Sequence, residues 1–189
     1  GKSLGAGIGA GARRCASVSR KRTRAFAARR DCFRMLCRAG VANARLLRTG
    51  GVAAMAYGAP VMGVSPSAFP AQRRAAAATL AAAGAGADLD LSLLIADGPA
   101  GHAADPAVAA HADPVTLWAV AVWESWLPRS AFSLTIARAK RRIAAAKREW
   151  SAVQGPAAAV VATAARIGWH FVDGFNNHHR RRRERMLLY

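Results

Sequence analysis

Acidic residues are scarce: 10 Asp and Glu stand against 28 Lys and Arg, a formal charge of +18 over 189 residues. Metal-dependent polymerases and nucleases need clustered carboxylates, and this chain has none. The one close pair, Asp88 and Asp90, falls at an expected helix start, where acids favour the dipole. Cysteine is also scarce. Cys15, Cys32 and Cys37 are odd in number and lack a CxxC spacing, which argues against a disulfide framework and favours a reducing compartment. Aromatics make up 7% of the chain, with five Trp as the natural anchors. Much of the apolar content is Ala, which buries little area per residue. The expected core is therefore thin and helix on helix.

Signals for secretion, membrane crossing and catalysis are missing too. No clean apolar run follows a basic start, so no secretory signal is read. Residues 49–72 are uncharged, but Pro60, Pro66 and Pro70, with Gly50, Gly51, Gly58 and Gly63, break the helix that a span requires. Gly1-Lys2-Ser3 matches only the end of a P-loop. Gly5, Gly7, Gly9 and Gly11 alternate strictly and do not form GxGxxG. Ser65 does not sit in a nucleophile elbow. His170, His178 and His179 lack partner ligands at metal spacing. Cys37, beside Arg34 and Arg38, reads as a buried structural thiol rather than an activated one. No catalytic residue, no cofactor and no metal site is expected, and the chain is read as a non-enzyme.

What is present is segregated charge. Residues 1–74 carry +14, residues 75–128 carry −6 without a single Lys or Arg, and residues 129–189 carry +10. Two basic blocks flank an acidic middle, and a balance this basic implies a polyanionic partner. The first block is Arg-rich and acid-poor, as organellar transit peptides are. The chain opens on Gly1 rather than Met, as a fragment or processed product does.

Periodicity predicts an all-α fold, an irregular bundle of about six to eight helices with disordered termini. Residues 1–12 read as a Gly-rich irregular lead. Residues 13–83 read as a basic helical region, 84–104 as a linker with a short helix, 105–172 as a Trp-anchored helical region, and 173–189 as a basic disordered tail. A first helix is expected from Arg13 to Arg38, stopped by Gly40, with Phe26, Phe33 and Cys37 on one face and Arg13, Arg20, Arg24 and Arg38 opposite. A second spans Ala42 to Tyr57. Gly50-Gly51 inside it costs about 1 kcal/mol per Gly relative to Ala, so close packing or a bend is the expected reason for the pair. A third runs from a Ser65 or Ser67 cap to Ala83, and a short fourth starts on Asp88. Asp105-Pro106 and Asp113-Pro114 are both read as helix starts. From the second, Val115, Trp118, Val122 and Trp126 form a core-facing stripe. Phe132, Ile136, Ala139, Ile143, Ala146 and Trp150 form another, with Arg141 and Arg148 opposite. A last helix follows from Pro156 to Ile167, and Trp169–Val172 reads as a short strand.

The candidate nucleic-acid-binding residues are therefore Arg13, Arg20, Arg24, Arg38, Arg141 and Arg148, each able to neutralise a phosphate and release counterions. No zinc-finger, bZIP or RNP signature predicts base-specific reading.

The stretch from Arg38-Ala39-Gly40-Val41-Ala42-Asn43 through Met55-Ala56-Tyr57-Gly58 resembles the region after the palm in non-LTR retrotransposon reverse transcriptases of the dinoflagellate type, as do Leu4-Gly5, Asp113-Pro114 through Pro128, and Gly155-Pro156 through Trp169. The resemblance covers residues 3–172 and departs from Asp173 onward. It implies a thumb-like region and connector that grip a DNA or RNA–DNA duplex beside neighbouring polymerase domains, with no catalytic residue carried over. A full-length parent would be an RNA-directed DNA polymerase, and the location implied is nuclear. The acidic middle is expected to pack away from the duplex or against a neighbouring domain. The alternatives are a basic structural subunit of a mitochondrial or plastid ribonucleoprotein or membrane complex, packed among other protein subunits, and a non-functional retroelement remnant.

Overall fold

The computed structural model describes residues 15–80, 86–98, 101 and 103–171, together with the backbone of Lys2–Ser3, Ala6–Gly7 and Asn177–His179. The described chain is all-α in character. Its helices are α1 (Ser17–Ala27), α2 (Arg30–Arg38), α3 (Asn43–Leu46), α4 (Val52–Ala56), α5 (Ala59–Met62), α6 (Phe69–Ala77), α7 (Leu89–Asp97), α8 (Pro106–Trp123), α9 (Arg129–Ala144) and α10 (Pro156–Arg166). Two short antiparallel strand pairs accompany them: β1 (Lys2–Ser3) with β2 (Ala6–Gly7), and β3 (Trp169–Phe171) with β4 (Asn177–His179). Apart from these strand residues, the lead and tail that the sequence reads as irregular and disordered lie outside the described residues.

The expected single helix from Arg13 to Arg38 is two helices, broken at Ala28 and Arg29. Both residues are good helix formers, so the break is set by packing. The Asn43 amide donates to Phe33 O at 2.7 Å, Cys37 Sγ at 2.8 Å and Thr79 O at 2.8 Å, which anchors α2 to α3 and the end of α6. The Phe33 ring lies 5.4 Å from that of Phe26. Between α3 and α4 the helix widens into a π turn over Leu47–Gly51, a short π segment of the kind found inside α-helices.

Helix α6 is preceded by a 3-10 turn at Pro66–Ala68 and ends at Ala77, short of Ala83, and neither Ser65 nor Ser67 caps it through its side chain. The Thr79 hydroxyl donates to Ala76 O at 2.7 Å, closing the last turn. Asp88 and Asp105 cap α7 and α8 as expected, accepting from Leu91 N and Ala107 N at 2.8 Å. Asp113-Pro114 does not start a helix. Pro114 lies inside α8, fully buried, in the stripe Pro106, Ala110, Pro114, Trp118, Ala121. Burial of that stripe outweighs the hydrogen bond that Pro removes. The stripe ends before Trp126: Ser125 takes a left-handed φ of 52° and Trp126 N donates to Ala121 O at 3.0 Å, closing α8 as a Schellman-type turn. Trp126 is therefore turned outward and exposed.

Four apolar clusters make the core. Phe26, Leu47, Val52 and Met55 join the Ala75–Ala77 face of α6, Leu93 and Ala104. Trp118, Phe132, Ile136, Val160 and Phe171 form the second, with Trp118 edge-on to Phe132 at 5.1 Å. Ala139, Val153, Ala158 and Ala159 form the third, against which Trp150 and Ile143 pack. A small fourth cluster of Ala56, Ala59, Val64 and Ala110 lies where α4, α5 and α8 meet. Alanine dominates the third and fourth clusters, in keeping with a thin core.

Candidate nucleic-acid interface

The basic residues divide by what they touch. Several are engaged inside the protein. Arg22 lies 4.2 Å over the Tyr57 ring. Arg48 donates to Asp97 O at 3.0 Å, and Arg142 to Gln154 O at 2.6 Å. Lys140 donates to Phe171 O, tying β3 to α9. Arg73 donates to both Asp105 oxygens, at 2.9 and 3.1 Å, and to Asp90 at 2.5 Å. Burial alone would lower the Arg73 pKa; the bonds to Asp105 and Asp90 outweigh it and hold the pKa above its ordinary value. The acidic middle is thus pinned to α6 through one guanidinium. Arg166 is threaded between the rings of Phe69 and Trp150, 4.4 and 4.2 Å away, and donates to Val64 O.

Arg20, Arg24 and Arg148 are different. All three are exposed, and all three line one open groove of about 580 Å³. Their guanidinium groups have no hydrogen-bond or ion-pair partner among the described residues. Arg20 and Arg24 are one turn apart on α1, so their side chains project from the same helix face. Arg148 arrives from the other basic block. It stands in extended conformation after α9, its carbonyl accepting from Ser151 N at 2.9 Å and from Ser151 Oγ at 2.6 Å. The groove has no acidic residue in its lining. Its lining also includes Ser19, Thr23, Ser65, Ser67 and Ser151, together with Trp150. Ser65 and Ser67 share a hydrogen bond of 3.2 Å, which uses one of their two O–H protons and leaves the other to donate to an incoming acceptor.

Of the six arginines named from the sequence, the structure brings three together. Arg38 ends α2 and Arg141 lies in the last turn of α9; both are exposed and neither lines the groove. Arg13 lies outside the described residues. The sequence reading missed the groove's hydroxyls and the Arg166–Trp150 stack behind its wall. A Ser-Pro-Ser run ahead of an aromatic is a local signal, but nothing local says which distant helix it will face.

No group of three or more His, Cys, Asp or Glu that could hold a metal ion occurs among the described residues. No helix among them is long and apolar enough to cross a membrane. No protein-family model, curated protein or solved structure matches the chain.

Proposed function

We propose that this chain is a non-catalytic nucleic-acid-binding segment, of the thumb and connector kind found in retroelement reverse transcriptases, that grips the phosphate backbone of a primer–template duplex. The observation that supports it most is the meeting of Arg20 and Arg24 with Arg148, from two basic blocks far apart in sequence, around one groove without a carboxylate. Guanidinium groups pair with phosphate oxygens in a fixed fork, and Ser hydroxyls are common additional phosphate donors. Such contacts carry no base preference, in keeping with the lack of any base-reading motif.

The test is binding of the nuclease-treated protein to a duplex oligonucleotide across a salt series. Arg20→Glu, Arg24→Glu and Arg148→Glu should each weaken binding equally for unrelated sequences. Each should also reduce the steepness of the salt dependence by about 0.9 per lost contact. Binding that ignores salt, or that survives all three substitutions, overturns the reading.

A further inference from the structure

The hydroxyl side chains that line the groove of Arg20, Arg24 and Arg148 are those of Ser19, Thr23, Ser65, Ser67 and Ser151. Ser151 differs from the other four in what precedes it. Lys147 and Arg148 stand four and three residues before it, in Lys147-Arg148-Glu149-Trp150-Ser151. Paired basic residues at that spacing are the charge pattern by which arginine-directed serine kinases select an acceptor. Ser19, Ser65 and Ser67 have no Lys or Arg at either spacing. Thr23 has Arg20 three residues before it, but Thr23 is buried and donates to Ser19 O at 3.1 Å. Lys147, Arg148, Glu149 and Ser151 are all exposed. They lie after the end of α9, and Ser151 closes the 3-10 turn Glu149–Ser151. Ser151 is thus the groove hydroxyl that combines exposure with a basic approach.

We propose that Ser151 is a phosphorylation site and that its phosphate is held by the arginines of the groove. The donor is ATP, presented by a serine kinase that reads basic residues. Ser151 Oγ bonds to the γ-phosphorus, and the bond from that phosphorus to the β,γ-bridging oxygen breaks. ADP leaves, and the hydroxyl proton passes to the kinase's base. The product carries about two negative charges at pH 7 and three strong acceptor oxygens. Placed opposite an arginine cluster, such a group forms about one to three charge-assisted hydrogen bonds. Arg20 and Arg24 on α1 line the same groove as Arg148 and Ser151, and no carboxylate lines it to compete; Glu149, next to Arg148, is outside the lining. The modification gives up the bond from Ser151 Oγ to Arg148 O and exchanges a neutral hydrogen bond for charge-assisted ones. The phosphate is then an internal ligand, seated where a strand phosphate would otherwise enter. That competition rests on the proposed nucleic-acid reading of the groove, whereas the capture of the phosphate by the arginines does not.

An arginine-directed serine kinase with ATP should label the folded chain at Ser151, located by mass spectrometry, and Ser151→Ala should lose that label. Phosphoserine installed in place of Ser151 during translation bypasses the kinase. Its phosphorus NMR signal should titrate at least about 0.5 pH below the ordinary second pKa of about 6, because neighbouring guanidinium groups favour the dianion. Arg20→Gln with Arg24→Gln should return the titration to the ordinary value, with circular dichroism as the control for folding. The same phosphoprotein should bind a duplex oligonucleotide at least about ten-fold more weakly than the unmodified chain in about 100 mM salt. Phosphoserine in place of the exposed Ser130, which is outside the groove lining, should cost less than about two-fold. No label at Ser151, or an ordinary titration indifferent to the two arginine substitutions, overturns the proposal. So does unchanged duplex affinity on phosphorylation of a chain that binds duplex. A lowered titration in a chain that binds no duplex in either form upholds the phosphate site and overturns the nucleic-acid reading instead.

Discussion

The Phe26 ring closes directly over the Cα of Gly51: a Cβ built on Gly51 would meet Phe26 Cζ at 2.6 Å and Leu47 Cδ1 at 3.0 Å. Its neighbour Gly50 has nothing within 4 Å of the same position. The two glycines of the π turn therefore have different reasons to be there. Gly51 has an ordinary helical φ of −66°, so its need is space and not conformation. Gly51→Ala should cost about 1–3 kcal/mol by overpacking the Phe26–Leu47 contact. Gly50→Ala should be neutral or gain up to about 1 kcal/mol from helix propensity. Urea unfolding of the two variants checks the contrast, and equal effects would contradict it.

Asp105 performs two tasks with one carboxylate. It caps α8 through Ala107 N and receives Arg73 on both oxygens. Its side chain is 16% exposed and that of Arg73 is 24% exposed, whereas Asp90 is 77% exposed. Asp105→Ala should destabilise by about 2–4 kcal/mol, combining a lost cap with a half-buried guanidinium left short of partners. Asp105→Asn keeps the cap and should cost less. Asp90→Ala should cost no more than about 1 kcal/mol, as exposed ion pairs do. Thermal melts of the three variants should rank in that order.

Burial raises the pKa of the Asp113 carboxyl above its ordinary 3.8. The folded state therefore binds this proton more tightly than the unfolded state. Below the ordinary pKa the group is protonated in both states, and its contribution to stability is then at its best. As pH rises through the shifted value that contribution is lost, and at neutral pH the ionised Asp113 is a burden on the fold. Asp113→Asn should raise the melting temperature at pH 7, with the advantage shrinking as pH falls toward about 4. An advantage that grows on acidification would contradict the assignment.

The local signals were legible in the residues and the distant ones were not. Asp88 and Asp105 announced their helices because a cap is a contact between residues two or three apart. The β3 strand and the Phe132–Ile136–Ala139 stripe were legible for the same reason. Asp113-Pro114 carries the same cap signature as Asp105-Pro106, yet it is overridden because Pro106, Ala110, Pro114 and Trp118 fall on one buried side. The break between α1 and α2 left no local trace, since it depends on the Asn43 amide reaching back to Phe33 and Cys37. At the candidate interface, charge and helix face could be read for each arginine singly. That Arg148 would join Arg20 and Arg24, while Arg38 and Arg141 would not, is a property of tertiary packing.

Within the groove, pairs of substitutions should show coupling. In the proposed function Arg24 and Arg148 hold one strand, so the effects of Arg24→Glu and Arg148→Glu on duplex affinity should be non-additive by about 0.5 kcal/mol or more. Arg141→Glu lies outside the groove and should add to Arg24→Glu within about 0.5 kcal/mol, as distant sites do. Double-mutant cycles at one fixed salt concentration measure both. Additivity in the groove pair would mean that the two basic blocks do not engage one bound strand together.

The groove also joins parts of the molecule that otherwise have separate cores. Arg20 and Arg24 ride on α1, whose Phe26 belongs to the Leu47–Met55 cluster, while Arg148 precedes Trp150, which packs on the Ala139–Val153 cluster. Three cations gathered across that seam repel one another, so the ligand-free protein carries an electrostatic load directed at opening it. A polyanion laid in the groove removes the load and clasps both sides. Its binding energy then becomes mechanical reinforcement, about 2.7 kcal/mol of added resistance to unfolding at a hundred-fold excess over the dissociation constant. A nucleic acid bound there, as proposed, would in that sense be a structural component of the protein, the mortar in a joint that its own charges would otherwise loosen.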